Sequence, residues 1–190
     1  MSAPADQNNA RAPHIEGLAL AHALVLEVPD RSIKAEILRP LLKACREHLR
    51  VEIEYVSLAN PQPEVRLIAP YTLIYTGMRW HVRAFCEKNQ AYRDFVLSRL
   101  RGVPEVIDDV TEHGIEGDHE WNTEVPVLII PDERLTPTQK AIMETDFGMV
   151  YGKLEIPNRQ ALVKYVLQRY QIDPKKLDPK PEAQQIWVRN

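Results

Sequence analysis

Cysteine and glycine are scarce in this sequence, because the 190 residues include two cysteines and seven glycines. Cys45 and Cys86 are far apart in the chain, and neither belongs to a CxxC pair. The sequence therefore predicts neither a disulfide framework nor a zinc ion bound by cysteines. Two free thiols are typical of proteins in a reducing compartment.

Long apolar runs are absent as well. The longest nearly apolar stretch, residues 17–28, is interrupted by His22 and Glu27 and is shorter than the roughly 20 apolar residues that span a bilayer. No positive charge precedes Arg11, whereas a secretory signal begins with a basic region. We therefore expect a cytoplasmic protein that makes no contact with a membrane.

Motifs of the common catalytic centres are also missing. The chain contains no GxSxG, HExxH, DxDxDG or glycine-rich phosphate loop. The acidic segment 111–122 holds His113 and His119, but its spacing fits no standard zinc or calcium site. The sequence thus predicts no catalytic residue, no metal and no cofactor. An enzyme that processes nucleotides through His81 is an alternative, although no second catalytic group is placed beside it.

Charge is unevenly distributed along the chain. The formal net charge is −3, which by itself argues against nucleic-acid binding. Residues 64–101, however, contain seven arginines and lysines against three carboxylates. This basic segment is where we expect an anion to bind.

Residues 31–110 change from helical to strand periodicity. From Arg31 to Leu49, apolar residues recur at helical spacing, and Pro40 predicts either a kink near Arg39 or the start of a second helix. Alternation with period 2 then predicts strands at residues 51–57, 66–75, 79–87, 92–100 and 103–110. Short antiparallel strands after one helix favour a small curled barrel. We expect the preceding residues, 1–30, to be a flexible N-terminal segment.

A second domain is predicted at residues 123–190, after an acidic linker at residues 111–122. An apolar strand at 125–130 precedes Thr136-Pro137-Thr138-Gln139, which is a capping box with proline at the first helical position. A strand at 150–156, a helix capped by Asn158 and a last strand at 185–189 follow. The order βαβαβ predicts a small, ferredoxin-like α/β sandwich, and the whole chain is assigned to the α+β class.

The strand at residues 79–87 has the most distinctive chemistry. Alternation places Arg79, His81 and Arg83 on the face opposite the core. Arg93 and Arg99 share one parity on the next strand, and few carboxylates are nearby. Guanidinium groups bind phosphate oxygens through paired hydrogen bonds. The cluster therefore favours an anion or nucleic-acid site, with surface ion pairs as the alternative for each single arginine.

Several segments resemble the WYL domain. They are residues 66–73 (RLIAPYTL), 77–85 (GMRWHVRAF) and 93–100 (RDFVLSRL). The triplet that names the family stands here as Trp80-His81-Val82. This variant is similar to the one in WYL repressors of bacterial phage-defence islands, such as those of BREX and CBASS systems. Residues 132–165, including Asp146-Phe147-Gly148-Met149, resemble the C-terminal extension of these regulators, the WCX domain.

The resemblance implies an Sm-like or SH3-like β-barrel in the WYL part and dimerisation through the WCX part. It also implies that a nucleotide or a single-stranded nucleic acid binds basic and polar residues of the barrel, namely Ser57, Tyr71, Arg79, His81, Arg83, Arg93 and Arg99. Family members usually read double-stranded DNA through an N-terminal winged helix-turn-helix. We expect no such domain here, because the residues before the first predicted helix leave no room for it.

The leading hypothesis is a homodimeric, non-enzymatic module that senses a ligand within a WYL-type transcriptional regulator of phage defence. The alternative is an accessory protein of a defence system that binds RNA or a partner protein and has no DNA operator of its own. The neighbouring genes would distinguish the two. A separate helix-turn-helix frame favours the regulator, and a nuclease favours the accessory protein.

Overall fold

A computed structural model describes residues 33–189 of the chain. The predicted flexible segment at residues 1–30 lies outside the described residues. The described part contains helices and two antiparallel sheets, which confirms the α+β class. Both cysteines are free thiols. Within residues 33–189, no helix is long and apolar enough to cross a membrane.

Helix α1 (Ala35–Glu47) is the first described element. It continues through Pro40 as a single helix, so the predicted alternative of a second helix starting there is wrong. Leu41 and Ala44 lie on its buried face and are completely inaccessible to solvent. His48 ends the helix in the left-handed conformation, with φ of 54°, and donates its backbone N–H to the carbonyl of Ala44.

The first sheet follows α1 and has five strands in the order β4-β3-β2-β1-β5. All neighbouring strands are antiparallel. Each strand overlaps one of the strands that the alternation predicts. They are β1 (Leu49–Tyr55), β2 (Glu64–Tyr75), β3 (Trp80–Cys86), β4 (Ala91–Val96) and β5 (Leu100–Val110).

Strand β4 ends earlier than predicted, because a 3-10 turn at Leu97–Arg99 separates it from β5. Strands β4 and β5 are the two edges of the sheet, and no hydrogen-bonded ladder joins them within the described residues. The sheet is therefore open, and the predicted small curled barrel does not close among the described residues. The finer likeness to Sm-like folds stays a prediction.

Strand β3 is buried on both of its faces, from His81 to Cys86. Val82 belongs to the core under α1, together with Ile53 and Ile68, and all three side chains are at most 1% exposed. The opposite face, which the alternation predicts to be open, is covered by later parts of the chain. One such contact is the stacking of Phe85 on His113, with ring centroids 3.7 Å apart. Tertiary packing therefore makes β3 a central strand with two covered faces.

The second sheet has three strands in the order β7-β6-β8, and both pairings are antiparallel. Its strands are β6 (Glu124–Pro131), β7 (Leu154–Arg159) and β8 (Ile186–Arg189). Its helices are α3 (Pro137–Asp146), α4 (Val163–Arg169) and the short α5 (Pro181–Gln184). The predicted alternation of strands and helices is present, and the ferredoxin-like detail stays a prediction.

The two helix starts predicted in this half of the chain have opposite outcomes. The capping box is confirmed, because Thr136 Oγ1 accepts the backbone N–H of Gln139 and Gln139 Oε1 accepts that of Thr136, at 3.3 and 2.9 Å. The cap at Asn158 is wrong. Asn158 belongs to β7, where it pairs with Val125. Helix α4 begins after a further 3-10 turn at residues 160–162.

The predicted linker at residues 111–122 folds onto the first sheet. It contains a 3-10 turn, Ile115–Gly117, and the one-turn helix α2, His119–Asn122. Asp118 caps α2 by accepting the backbone N–H of Trp121 at 3.2 Å, and it is 1% exposed. Among the described residues, no cluster of histidine, cysteine or carboxylate side chains is arranged to hold a metal ion.

Candidate ligand-binding site

A cavity of about 480 Å³ opens beside the start of β3. The turn before β3, the 3-10 turn after β4, and helix α4 form its walls. Its volume falls within the range of roughly 300–1,000 Å³ that is usual for small-molecule sites. The side chains that give the cavity its charge and polarity are Arg79, His81, Asp94, Arg99, Lys164 and Tyr165.

Three cations and one carboxylate line this cavity. Arg79 precedes β3, Arg99 ends the 3-10 turn, and Lys164 lies in the first turn of α4. Within the described residues, neither Arg79 nor Arg99 forms an ion pair with a carboxylate. Because the single carboxylate, Asp94, is already occupied, the two guanidinium groups give the cavity an uncompensated positive charge.

His81 forms part of the inner surface of the cavity. It is 4% exposed, and its buried Nδ1 has no well-oriented hydrogen-bond partner among the described residues. Its ring packs against that of Tyr165, with centroids 4.9 Å apart. Burial lowers the pKa of His81, although the charge of Asp94 and the carbonyl of Arg79 act in the opposite direction. A neutral imidazole with a free buried nitrogen can donate or accept one hydrogen bond.

Asp94 connects the cavity to α4. Its Oδ2 lies 2.7 Å from Lys164 Nζ and accepts the hydroxyl of Tyr165 at 2.8 Å. Its Oδ1 accepts Arg83 Nη1 at 3.0 Å. Burial raises the pKa of Asp94, but the hydrogen bond and charge of Lys164 outweigh it, so the net shift is downward. Asp94 is therefore a buried carboxylate that is ionised and fully bonded.

Arg83 lies behind the cavity and joins Asp94 to the segment at 111–122. Its Nε and Nη2 bind the two carboxylate oxygens of Asp118 at 2.5 and 2.9 Å, and Nη2 lies 3.3 Å from Glu120. Tyr71 accepts a bond from Arg83 Nε at 3.1 Å and donates its hydroxyl to Asp118 at 2.5 Å. Burial disfavours the charge on Arg83, but Asp118 and Asp94 outweigh it, so its pKa is raised.

Two family models match the two parts of the chain that form the walls of the cavity. A family model for the WYL domain matches residues 36–104, and the model described as BrxR transcriptional regulator, C-terminal dimerization domain, matches residues 124–190. This chain carries a WYL domain followed by a BrxR C-terminal dimerisation domain. The WYL domain supplies β3 and the 3-10 turn to the cavity, and the dimerisation domain supplies α4.

The curated relatives are named as transcriptional repressors. These names agree with the expectation that this chain is a non-enzymatic protein. The DNA-binding transcriptional repressor CapW of Pseudomonas aeruginosa is 36% identical over 160 residues, which cover 84% of this chain and 53% of the relative. CapW of Stenotrophomonas maltophilia is 33% identical over 173 residues, which cover 87% of this chain and 55% of the relative. The chain is homologous to these repressors and spans about half the length of the curated relatives it matches.

A more distant likeness is to a solved structure. Proteasome accessory factor B/C (PafBC) of Arthrobacter aurescens is aligned with a TM-score of 0.39 and 16% sequence identity. The alignment covers 82% of this chain and 25% of that chain.

The structure brings together only some of the seven residues predicted to bind a ligand. Arg79, His81 and Arg99 line the cavity beside β3. Arg83 and Tyr71 do not face it, because Asp118 binds both of them in a buried network. The expectation that few carboxylates lie near Arg83 is wrong, since its side chain is 2% exposed and paired with three.

The other two predicted residues lie outside the cavity. Arg93 pairs directly with Ala84 across the β3–β4 ladder, and Ala84 is in the core under α1. Directly paired residues share one face of a sheet, so Arg93 lies on the face opposite His81. Ser57 stands in the loop after β1, where its hydroxyl accepts the backbone N–H of Asn60 at 2.9 Å.

The sequence did not predict several polar residues of the cavity, among them Asp94, Lys164, Tyr165 and Gln168. Asp94 is directly paired with Arg83 across the ladder, and a correct register for the predicted hairpin would have placed the two side chains on one face. Lys164 and Gln168 are four residues apart on α4, so they share one face of the helix, and both line the cavity. No local signal predicts that this face meets the WYL sheet.

Proposed function

We propose that this chain is the ligand-sensing and dimerisation module of a WYL-type transcriptional regulator. Its effector is a nucleotide or a single-stranded nucleic acid, bound through phosphate in the cavity beside β3. The observation that carries the proposal is the pair of guanidinium groups, Arg79 and Arg99, which line the cavity and form no ion pair with a carboxylate among the described residues. Arg79 is exposed and Arg99 is partly buried, so an anion can reach both groups from solvent.

The chemistry of the cavity fits a phosphate better than a carboxylate or a neutral ligand. Two guanidinium forks and one ammonium group can each donate several charge-assisted hydrogen bonds to phosphate oxygens. His81 also lines the cavity, and its buried Nδ1 has no well-oriented hydrogen-bond partner among the described residues. The ring of Tyr165 offers an aromatic surface to which a base or sugar can pack.

The buried network gives Arg83 and Tyr71 a different role from the one predicted. We assign them as positioning residues, because they act on the cavity through Asp94 and Asp118 rather than by touching the ligand. Ser57 and Arg93 would contact the ligand only if it is a single-stranded nucleic acid long enough to extend beyond the cavity. The Sm-like character of the sheet and a cytoplasmic location are part of the same proposal.

The matched family model and the curated relatives support dimerisation and a role in transcriptional regulation. The matched C-terminal model is described as a dimerization domain, which supports a homodimer. CapW is named as a DNA-binding transcriptional repressor, which supports a role for this chain in transcriptional regulation. The alternative is an accessory RNA-binding protein of a defence system. The binding experiment described next distinguishes it from the regulator.

The direct test is fluorescence anisotropy with labelled single-stranded oligothymidylate of about eight nucleotides, a length typical for small single-strand-binding folds. We expect Arg79→Ala and Arg99→Ala each to weaken binding roughly tenfold, as is usual for a lost charge-assisted hydrogen bond. Arg39→Ala, which removes an exposed arginine of α1, is the matched control and should leave the affinity unchanged.

Two further comparisons make this test specific. Binding should weaken with salt, with a slope of about −0.7 in log–log form for each phosphate contact. A ribonucleotide oligomer of the same length that binds much more tightly than the DNA would favour the accessory RNA-binding hypothesis. Equal, undetectable binding by the native chain and the variants would overturn the nucleic-acid proposal, and titration with mononucleotides would then decide whether the cavity takes an anion at all.

A further inference from the structure

Helix α4 of the dimerisation domain forms one wall of the cavity, whereas β3 and the 3-10 turn of the WYL domain form the other. Lys164, Tyr165 and Gln168 are the residues of α4 that line it. A ligand in the cavity therefore lies between the two domains. The inference that follows rests on the proposed function only for the identity of the ligand.

Lys164 is the residue of α4 best placed to move toward a ligand. Its Nζ lies 2.7 Å from Asp94 Oδ2, yet the Lys164 side chain is 56% exposed while that of Asp94 is 2% exposed. The ammonium group also lies 4.8 Å from the ring centroid of Tyr165. A lysine ammonium sits on a flexible four-carbon stem and has three donors, so it can exchange partners without a change in the backbone.

Asp94 would remain compensated if Lys164 left it. Arg83 Nη1 and the Tyr165 hydroxyl still donate to its two oxygens. Burying a carboxylate without partners is costly, but this carboxylate keeps a buried guanidinium beside it. The exchange of Lys164 therefore leaves no unpaired charge in the interior.

We propose that Lys164 exchanges its ion pair with Asp94 for one with the bound phosphate. In the free protein, Lys164 pairs with a carboxylate of the WYL domain. In the bound protein, the phosphate is held by Arg79 and Arg99 on one side and by Lys164 on the other. The dimerisation domain thus contacts the effector directly, and binding ties α4 to the WYL sheet through the ligand.

The proposal makes Asp94 and Lys164 act in opposite directions on ligand affinity. Asp94 competes with the phosphate for Lys164, so Asp94→Asn should raise the affinity for the oligothymidylate by several-fold. Lys164→Met removes a contact with the phosphate and should lower the affinity roughly tenfold. If Lys164 only supports the fold through Asp94, both variants break the same pair and should lower the affinity together.

The matched control for Lys164 is Lys153. Lys153 also belongs to the dimerisation domain and pairs with an exposed carboxylate, Glu155, at 3.0 Å, with a side chain that is 47% exposed. Lys153→Met should leave the affinity and its salt dependence unchanged. Lys164→Met should reduce the slope of the salt dependence by about 0.7, the loss of one phosphate contact.

Asp94→Asn disturbs a buried ion pair and can unfold the WYL domain, so a second measurement is needed that does not depend on it. Hydrogen exchange of the backbone amides in α4 provides one. Binding of the oligothymidylate should slow exchange in residues 163–169 of the native chain by at least several-fold, and Lys164→Met should abolish this slowing at a saturating concentration of the oligomer.

The outcomes separate this inference from the proposed function. If the native chain does not bind the oligomer and Arg99→Ala changes nothing, the proposed function fails. If Arg99→Ala weakens binding but Lys164→Met has no effect on affinity, salt slope or exchange, the proposed function stands and the role of Lys164 is overturned. A loss of affinity in Asp94→Asn equal to that in Lys164→Met, with both variants folded, also overturns it.

Discussion

Arg83 and Asp118, which are 35 residues apart in the chain, form a bidentate ion pair with N···O distances of 2.5 and 2.9 Å. Both side chains are 2% exposed. The pair joins the central strand of the WYL sheet to the segment that precedes the dimerisation domain. Arg83 also binds Asp94. Asp94 lines the candidate ligand cavity and binds Lys164 of α4, so Asp94 links the Arg83–Asp118 pair to both.

Removing the guanidinium should destabilise the chain strongly. We expect Arg83→Met to lower the free energy of unfolding by about 3–5 kcal/mol, because it leaves Asp118 and Asp94 buried without their main cation. Urea denaturation followed by circular dichroism measures this change. Lys43→Met, which breaks an exposed pair with Glu47 on α1, should change it by less than about 1 kcal/mol. Equal effects of the two substitutions would contradict a structural role for Arg83.

Acid should weaken the same network. Burial opposes ionisation of Asp118, but hydrogen bonds from Arg83 and Tyr71 outweigh it, so the folded pKa of Asp118 lies below the ordinary value near 3.8. A carboxylate with a lowered folded pKa stabilises the protein above its unfolded pKa, and this contribution is lost as the pH falls toward the folded pKa. We expect the Tm to fall between about pH 5 and pH 3, and to fall less in Asp118→Asn.

The affinity for an anion should depend on His81. Burial lowers the pKa of His81 in the free protein, so the ring is neutral near pH 7. A phosphate bound beside it raises that pKa, because an opposite charge favours the protonated form. The complex then binds more protons than the free protein, and the affinity should rise as the pH falls from about 8 to 6. Anisotropy titrations should show this rise in the native chain, and a comparable rise in His81→Gln would exclude His81 as its source.

Two adjacent leucines on α1 provide a matched test of the core. Leu41 is completely buried, and Leu42 is 41% exposed. We expect Leu41→Ala to lower the free energy of unfolding by about 2–5 kcal/mol, because it leaves a cavity between α1 and the sheet. Leu42→Ala removes the same atoms from a half-exposed site and should cost about 1 kcal/mol or less. Equal costs measured by urea denaturation would contradict the packing of α1.

Most elements of the fold could be predicted because their signals are local. Alternation with period 2 found all five strands of the first sheet, and the Thr136 capping box found the start of α3. The errors also have local causes. The 3-10 turn at Leu97–Arg99 interrupts the alternation, so Arg93 and Arg99 do not share a face as their parity predicts.

By itself, the sequence determined where the strands and helices form, that a basic segment surrounds β3, and that the chain resembles the WYL family. These properties depend on side-chain periodicity and composition, which neighbouring residues decide. Tertiary structure alone decided which cations are free to bind a ligand. Asp118 and Asp94 neutralise Arg83, and α4 brings Lys164 and Tyr165 to the cavity. Such contacts join residues far apart in the chain, and their energies depend on burial and distance, which periodicity does not encode.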